Sequence, residues 1–409
     1  MDIKGLFSSE LGKGAVILFI TMNIYNFLNF LFHFSMGRLL GPSGYGELAV
    51  LMSIIYIYGI PTEAIQNIIV RFTSKFNIKN EKGKIKFLMY KSLKKGVIVS
   101  VIIFLLSIFV SVFLSYFLRI NFWLLFLTNS VIFISIISPI VKGVLQGRKK
   151  FLLLGNNLII ESGLKLIFSI SLVIFGFKVF GAITGVLLGV FSGIIFSLYF
   201  NRDILSEKEK KVKFDNIYDM SIPYFVVMLI ILLFFSLDII LAKRFFSDEL
   251  AGKYAVLSML GKMIYLGTFA ISKAMFPLTS ERKENHQDSS SLYKKSLILI
   301  SVICLISIIV YALFPELIIN ILYGDKYVDM APYLVYSAIA LSFLSLSNLI
   351  LIYGLSTDKL RNFYYLLIFL AVELILLFMF HRSIYEYILA FMVSNIIMFI
   401  GSFFFLKRH

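Results

Sequence analysis

Charge is scarce in this sequence. Of its 409 residues 15% are Asp, Glu, Lys or Arg, while 59% are hydrophobic and the mean hydropathy is +0.92. A soluble domain carries roughly 25% charged residues, so the chain has too little polar side chain to cover a globular surface in water. The residues of thiol and metal chemistry are scarcer still. One cysteine, Cys304, lies inside an apolar stretch, so no intrachain disulfide can form and cysteine usage leaves the compartment open. Four scattered histidines make no metal-ligand spacing, and no metal site is expected. A Gly-x-x-x-x-Gly-Lys-Ser/Thr phosphate loop is also missing, which excludes direct use of ATP. No nucleophile–base pair presents itself either, so the expectation is a non-enzyme without a cofactor.

What the sequence does have is apolar runs long enough to cross a hydrocarbon core, which takes about 20 residues in a helix. Stretches such as Val97–Leu118 do not alternate between apolar and polar residues, which excludes the strands of a membrane barrel. Twelve spans are expected, at 15–36, 47–70, 96–118, 122–141, 151–176, 179–200, 220–242, 251–276, 296–322, 331–354, 362–380 and 384–406. The first is too long for a signal-peptide core and lacks a small-residue cleavage site, so it reads as a retained span. The fold class is therefore an all-α membrane protein.

A net charge of +16 raises the question of nucleic acid, but the loops answer it. With the N-terminus inside, the inside segments hold 29 Lys and Arg and the outside connections hold 8. That alternation is the positive-inside pattern; it places both termini in the cytoplasm and makes a nucleic-acid partner unnecessary. The outside connections are all short, which excludes a large extracytoplasmic domain. The basic inner loops 71–95 and 277–295 lie where anionic lipid head groups would be met.

The sequence also repeats itself. At an offset of 206 residues, Arg38–Ser74 aligns without gaps on Arg244–Ser280 with 10 identities in 37 positions, among them Arg38/Arg244, Gly46/Gly252, Thr62/Thr268 and Thr73-Ser74/Thr279-Ser280. The offset spans six helices, an even number, so both halves share one orientation. Two six-helix bundles, 1–205 and 206–409, related by a pseudo-twofold axis along the membrane normal, are expected.

The segment Met36–Ser53, MGRLLGPSGYGELAVLMS, resembles the R-x-LGP-x-x-(Y/F)-G junction of polysaccharide-biosynthesis membrane proteins. These are oligosaccharide flippases of the multidrug/oligosaccharidyl-lipid/polysaccharide (MOP) exporter superfamily. Ser236–Leu260, with an Asp in span 7 and a G-x-Y-A turn into span 8, is similar to the same family's second half. The resemblance implies a cavity between two bundles and alternating access in a cell membrane. It also implies a polyprenyl diphosphate-linked sugar as cargo, carried from the cytoplasmic to the outer leaflet.

A diphosphate crosses apolar thickness only where cations line its path. Lys165 and Lys262 are the basic residues well inside spans and the first candidates to meet it. Lys165 has an equal structural reading as the ion-pair partner of Glu161, one turn earlier. Lys262 has no acid three or four positions away. Arg38 and Arg244 end spans 1 and 7, where receiving the diphosphate and anchoring at the interface are both open. Arg71 and Lys273 fit the inner ends of spans 2 and 8, where charge bias alone explains them. Asn23, Asn26 and Asn29 recur every three residues in span 1, as sugar-binding groups or as inter-helix hydrogen-bonding groups. Asp238, Glu63 and Glu373 are the embedded acids, candidates for coupling to sodium ions or protons; for Asp238 a structural role, pairing with a basic residue across the bundle, is also open. Gly181, Gly185, Gly189 and Gly193 form a stripe read as helix packing. A multidrug or cation antiporter of the same superfamily is the alternative function, and a membrane glycosyltransferase or polymerase a more distant one.

Overall fold

Backbone groups in lipid have no water to bond, so apolar runs close their hydrogen bonds internally as helices. The structure, a computed structural model, describes residues 10–212, 222–357 and 363–407, and among them there is no strand. In order the helices are α1 (Glu10–Tyr58), α2 (Ile60–Ile78), α3 (Lys82–Leu118), α4 (Phe122–Asn129), α5 (Val131–Gly147), α6 (Phe151–Leu172), α7 (Lys178–Phe200) and α8 (Arg202–Leu205). The second half holds α9 (Ile222–Phe245), α10 (Asp248–Glu284), α11 (Ser290–Leu313), α12 (Pro315–Tyr323), α13 (Leu334–Ser356), α14 (Leu366–Met379) and α15 (Ile384–Lys407).

Nine helical stretches among the described residues are long and apolar enough to cross a membrane. Two are double-length. Ile20–Ile78, of 59 residues, breaks at Gly41, and Phe151–Phe200, of 50 residues, breaks at Gly176. At about 1.5 Å per residue each far exceeds a core roughly 30 Å thick, so each carries two crossings. With the shorter α14, helix is found in each of the twelve expected spans, of which residues 220–221 and 362 lie outside the described residues. The protein is a multi-pass membrane protein.

The breaks have local causes. Gly41 sits at φ +67°, in the left-handed region that only glycine enters without strain. Pro42 follows it as the first residue of the resumed helix, where a missing N–H costs nothing. Pro61 and Pro315 likewise open α2 and α12. Pro315 therefore divides the expected span 296–322 into α11 and α12, and the expected span 122–141 runs on to Gly147 at the end of α5.

The repeat is visible in which helices face lipid. α3 and α11 hold equivalent positions, and the most apolar stretch of each is only 17% and 11% buried. By contrast the stretch ending α13 is 72% buried. Such an outward apolar face is what a lipid-facing helix presents.

The described residues form two compact units. One comprises residues up to Leu40 and those from Tyr58 to Val212; the other comprises Gly41–Ile57 and the residues from Ile222 onward. The sequence halves do not anticipate that Gly41–Ile57 belongs with the second unit. Within that unit the repeat partners Gly46 and Gly252 touch through backbone: a Cβ on Gly46 would lie 2.7 Å from the Gly252 Cα. Any larger residue there would separate the two helices.

Candidate functional site

Each unit buries a small polar cluster around a lysine. In the first unit, Lys165 on α6 is buried, and its Nζ donates to Oδ1 of Asn29 on α1. The same ammonium lies 4.2 Å from the centroid of the Phe32 ring, a cation–π contact one helical turn further along α1. Of the two readings for Lys165, the direct ion pair with Glu161 does not form, although that carboxylate still acts on the ammonium through space. Glu161 instead takes Lys142 of α5 at 2.5 Å, both of them buried. Lys142 sits just past the expected end of its span, and sequence reasoning assigned it to an inner loop. The uninterrupted apolar pattern through Val144 and Leu145 was the signal that the helix continued and carried Lys142 inside.

The glycine stripe of α7 makes this arrangement possible. A Cβ at Gly189 would lie 2.7 Å from the Lys165 Cα and 2.8 Å from the Glu161 carbonyl oxygen. One at Gly193 would run into the Glu161 carboxylate, and the Gly193 carbonyl accepts a 2.6 Å hydrogen bond from Asn157. The stripe therefore packs α7 directly onto α6, and the close approach fixes Lys165 and Glu161 in place.

In the second unit, Asp238 on α9 is fully buried and receives three side-chain donors from successive turns of α10. Tyr254 Oη donates to its Oδ2 at 3.2 Å, Ser258 Oγ donates to the same oxygen, and Lys262 Nζ donates to Oδ1 at 3.1 Å. The spacing 254, 258, 262 is one residue per turn on a single face of α10. Tyr387 of α15 donates to the Asp238 backbone carbonyl at 2.6 Å, and Lys262 also faces the Phe235 ring at 4.9 Å. Lys262 finds its acid on a neighbouring helix, which spacing along its own helix could not reveal. Glu373 on α14 is fully buried, and neither of its carboxyl oxygens has a hydrogen-bond partner among the described residues.

The other expected residues lie apart from these clusters. Asn23 is exposed and Asn26 and Asn29 are half-buried, so the asparagine face of α1 grades from exposed to the part-buried Asn29–Lys165 bond. Arg38 and Arg244 are exposed near the ends of their helical arms. Glu63 is half-buried in the first turn of α2, where the helix dipole favours an acid. Gln66 bonds Gln146 at 2.7 Å and ties α2 to α5. No group of His, Cys, Asp and Glu suited to a metal ion occurs among the described residues.

The fold of these helices is the one found in solved transporters of the MOP superfamily. The structure is similar to a multidrug resistance MATE family transporter in its inward-facing conformation, with a TM-score of 0.74 and 14% identity over 97% of this chain and 98% of that one. An outward-facing MATE structure matches at 0.68, with 14% identity, 100% of this chain and 98% of that one. The lipid II flippase MurJ, in an inward closed conformation, matches at 0.69, with 13% identity, 96% of this chain and 87% of that one. No curated protein sequence matches. Residues 35–332 match the family model for polysaccharide biosynthesis proteins, and the chain belongs to that family.

Proposed function

We propose that this protein is a flippase that carries a lipid-linked sugar on a polyprenyl diphosphate from the cytoplasmic to the outer leaflet of the cell membrane, by alternating access. Family membership supports the polysaccharide side of this reading, and Lys165 carries the rest. It is a buried lysine on which Glu161 acts only from beyond ion-pair distance while that carboxylate is bonded to Lys142. One carboxylate thus serves two buried lysines, and an uncompensated buried charge is costly. An arriving diphosphate supplies the missing negative charge, and the asparagine face of α1 offers amides to the sugar hydroxyls. Arg38 and Arg244 are proposed to meet the diphosphate near the helix ends. Lys262, held by Asp238, is proposed to act through that pair, with Asp238, Glu373 and Glu63 as the groups coupling transport to sodium ions or protons. We assign no catalytic step to the chain.

The test is reconstitution in liposomes with a fluorescent polyprenyl diphosphate-sugar and a leaflet-selective quencher. Wild-type protein moves the lipid between leaflets, and Lys165→Met slows it at least tenfold. The buried carboxylates Asp238 and Glu373 specifically favour a second reading, cation antiport. Export of cationic dyes without lipid movement would establish that reading and overturn the first.

A further inference from the structure

The two lysine clusters are held by equivalent positions of the repeat. At the offset of 206, Asn29 corresponds to Phe235 and Phe32 to Asp238. In both units, therefore, the same two positions, one turn apart on the first helix, grip an ammonium between an oxygen acceptor and an aromatic face. The order is reversed. In the first unit the acceptor is Asn29 and the ring Phe32; in the second the ring is Phe235 and the acceptor Asp238. The lysines come from different helices, Lys165 from α6 and Lys262 from α10, so the similarity is one of cradle and not of inherited lysine.

The cradles differ in charge. Asp238 neutralises Lys262, and Ser258 and Tyr254 occupy its other oxygen. Asn29 is neutral, and Glu161, bonded to Lys142, acts on Lys165 only from beyond ion-pair distance, so one carboxylate serves two buried lysines. Each cradle satisfies its ammonium geometrically, but only the second supplies a counter-charge. A buried cluster with one cation in excess recruits an anion from outside when a polar face leads to it, and Asn26 and Asn23 provide that face.

We propose that the residue type at this repeat-equivalent acceptor, Asn29 against Asp238, decides which unit binds an anionic phosphate group: the first unit has an open anion site at Lys165, and the second has the same cradle closed by its own carboxylate. This rests on the reading of Lys165 as the group that meets the diphosphate, and it adds the residue that sets the charge preference.

The probe is inorganic diphosphate added to purified full-length protein in lipid nanodiscs, read by calorimetric stoichiometry and by thermal stabilisation. Wild-type protein binds one diphosphate. Asn29→Asp copies the second cradle into the first unit and weakens binding at least tenfold, whereas Asn29→Gln, which keeps a neutral acceptor, retains it. Asp238→Asn copies the first cradle into the second unit and raises the stoichiometry toward two. Diphosphate binding by Asn29→Asp equal to wild type overturns the proposal, as does a wild-type protein that binds none. If Asp238→Asn does not fold, the pair of Asn29 variants decides alone. Diphosphate binding that follows Asn29, in a protein that moves no glycan-lipid in liposomes, upholds this inference and removes the flippase reading.

Discussion

At the residue scale, the buried pair Asp238–Lys262 is the most consequential contact in the second unit. Removing one partner of a buried ion pair leaves an uncompensated charge and costs about 3–5 kcal/mol, whereas replacing both by apolar residues is nearly neutral. Lys262→Met is therefore expected to lower the thermal unfolding midpoint sharply, and Asp238→Leu added to it to restore most of the loss. Equal midpoints for the single and double variants would show that the two residues are not coupled. Sequence made each of these residues visible as an embedded charge and pairing a possible role for Asp238, but it did not identify Lys262 as the partner, because the two are 24 positions apart on different helices. Lys142 escaped notice for a related reason: a lysine at the edge of an apolar run looks like a loop residue until its partner, Glu161, is seen.

The helix ends around Arg148 and Asp203 offer a pH-dependent contact. Arg148 donates through Nη1 to Asp203 at 2.9 Å and through Nη2 to its other oxygen, with Lys150 at 3.7 Å. Burial acts to raise the Asp203 carboxyl, but the hydrogen bonds and charge of Arg148, with Lys150 behind, hold it below its ordinary value of 3.8. A carboxyl depressed in the folded state contributes stability above its unfolded pKa and loses it as pH falls through the folded one. Lys86 anchors the same segment by donating to the carbonyls of Leu205 at 2.6 Å and Glu207 at 2.8 Å. Exchange protection of residues 201–207, taken relative to the intrinsic amide rate at each pH, is expected to be unchanged from pH 7 to about 5 and to be lost below about pH 3.8. Arg148→Ala should remove that protection at neutral pH.

At the scale of the element, the α6–α7 pair shows how small residues position charged ones. Gly189 has no room for a methyl group against Lys165 and Glu161. Gly189→Val is expected to cost about 1–3 kcal/mol through overpacking and to shift Lys165 away from Asn29. Loss of diphosphate-dependent stabilisation in that variant, with Gly163→Ala as a control facing open space, checks the point. The stripe was legible in sequence as a packing surface, since spacing four in a helix places residues on one face. Which helix it met was not legible, because apolar helices of similar composition offer no pairing code.

At the scale of the whole molecule, the excess of Lys and Arg in alternate loops leads us to propose that both termini are cytoplasmic. With Cys304→Ser as background, single cysteines introduced near residue 80 and near residue 286 should react with a membrane-impermeant thiol reagent only after the inner face is opened. Cysteines near residues 120 and 247 should react from outside. The reverse pattern would invert the expected direction of transport, since the two faces would exchange roles.

The sequence alone determined the solvent, the element type and the span count. Twenty-residue apolar runs leave backbone groups no partner but themselves, so lipid and helix follow without tertiary information. It determined the repeat too, because a gapless offset survives in the primary order of residues. Only the tertiary structure decided which embedded charges are matched. That Gly41–Ile57 belongs with the second unit and that Asp238 neutralises Lys262 while Asn29 does not neutralise Lys165 depend on which helices lie side by side. Side-by-side packing in lipid is governed by shape at small residues and by a few hydrogen bonds, and neither leaves a periodic trace in the chain. The scarcity of charge that marks this sequence thus acquires its meaning from the fold, which gives one buried lysine an acid of its own and leaves two others to share one carboxylate.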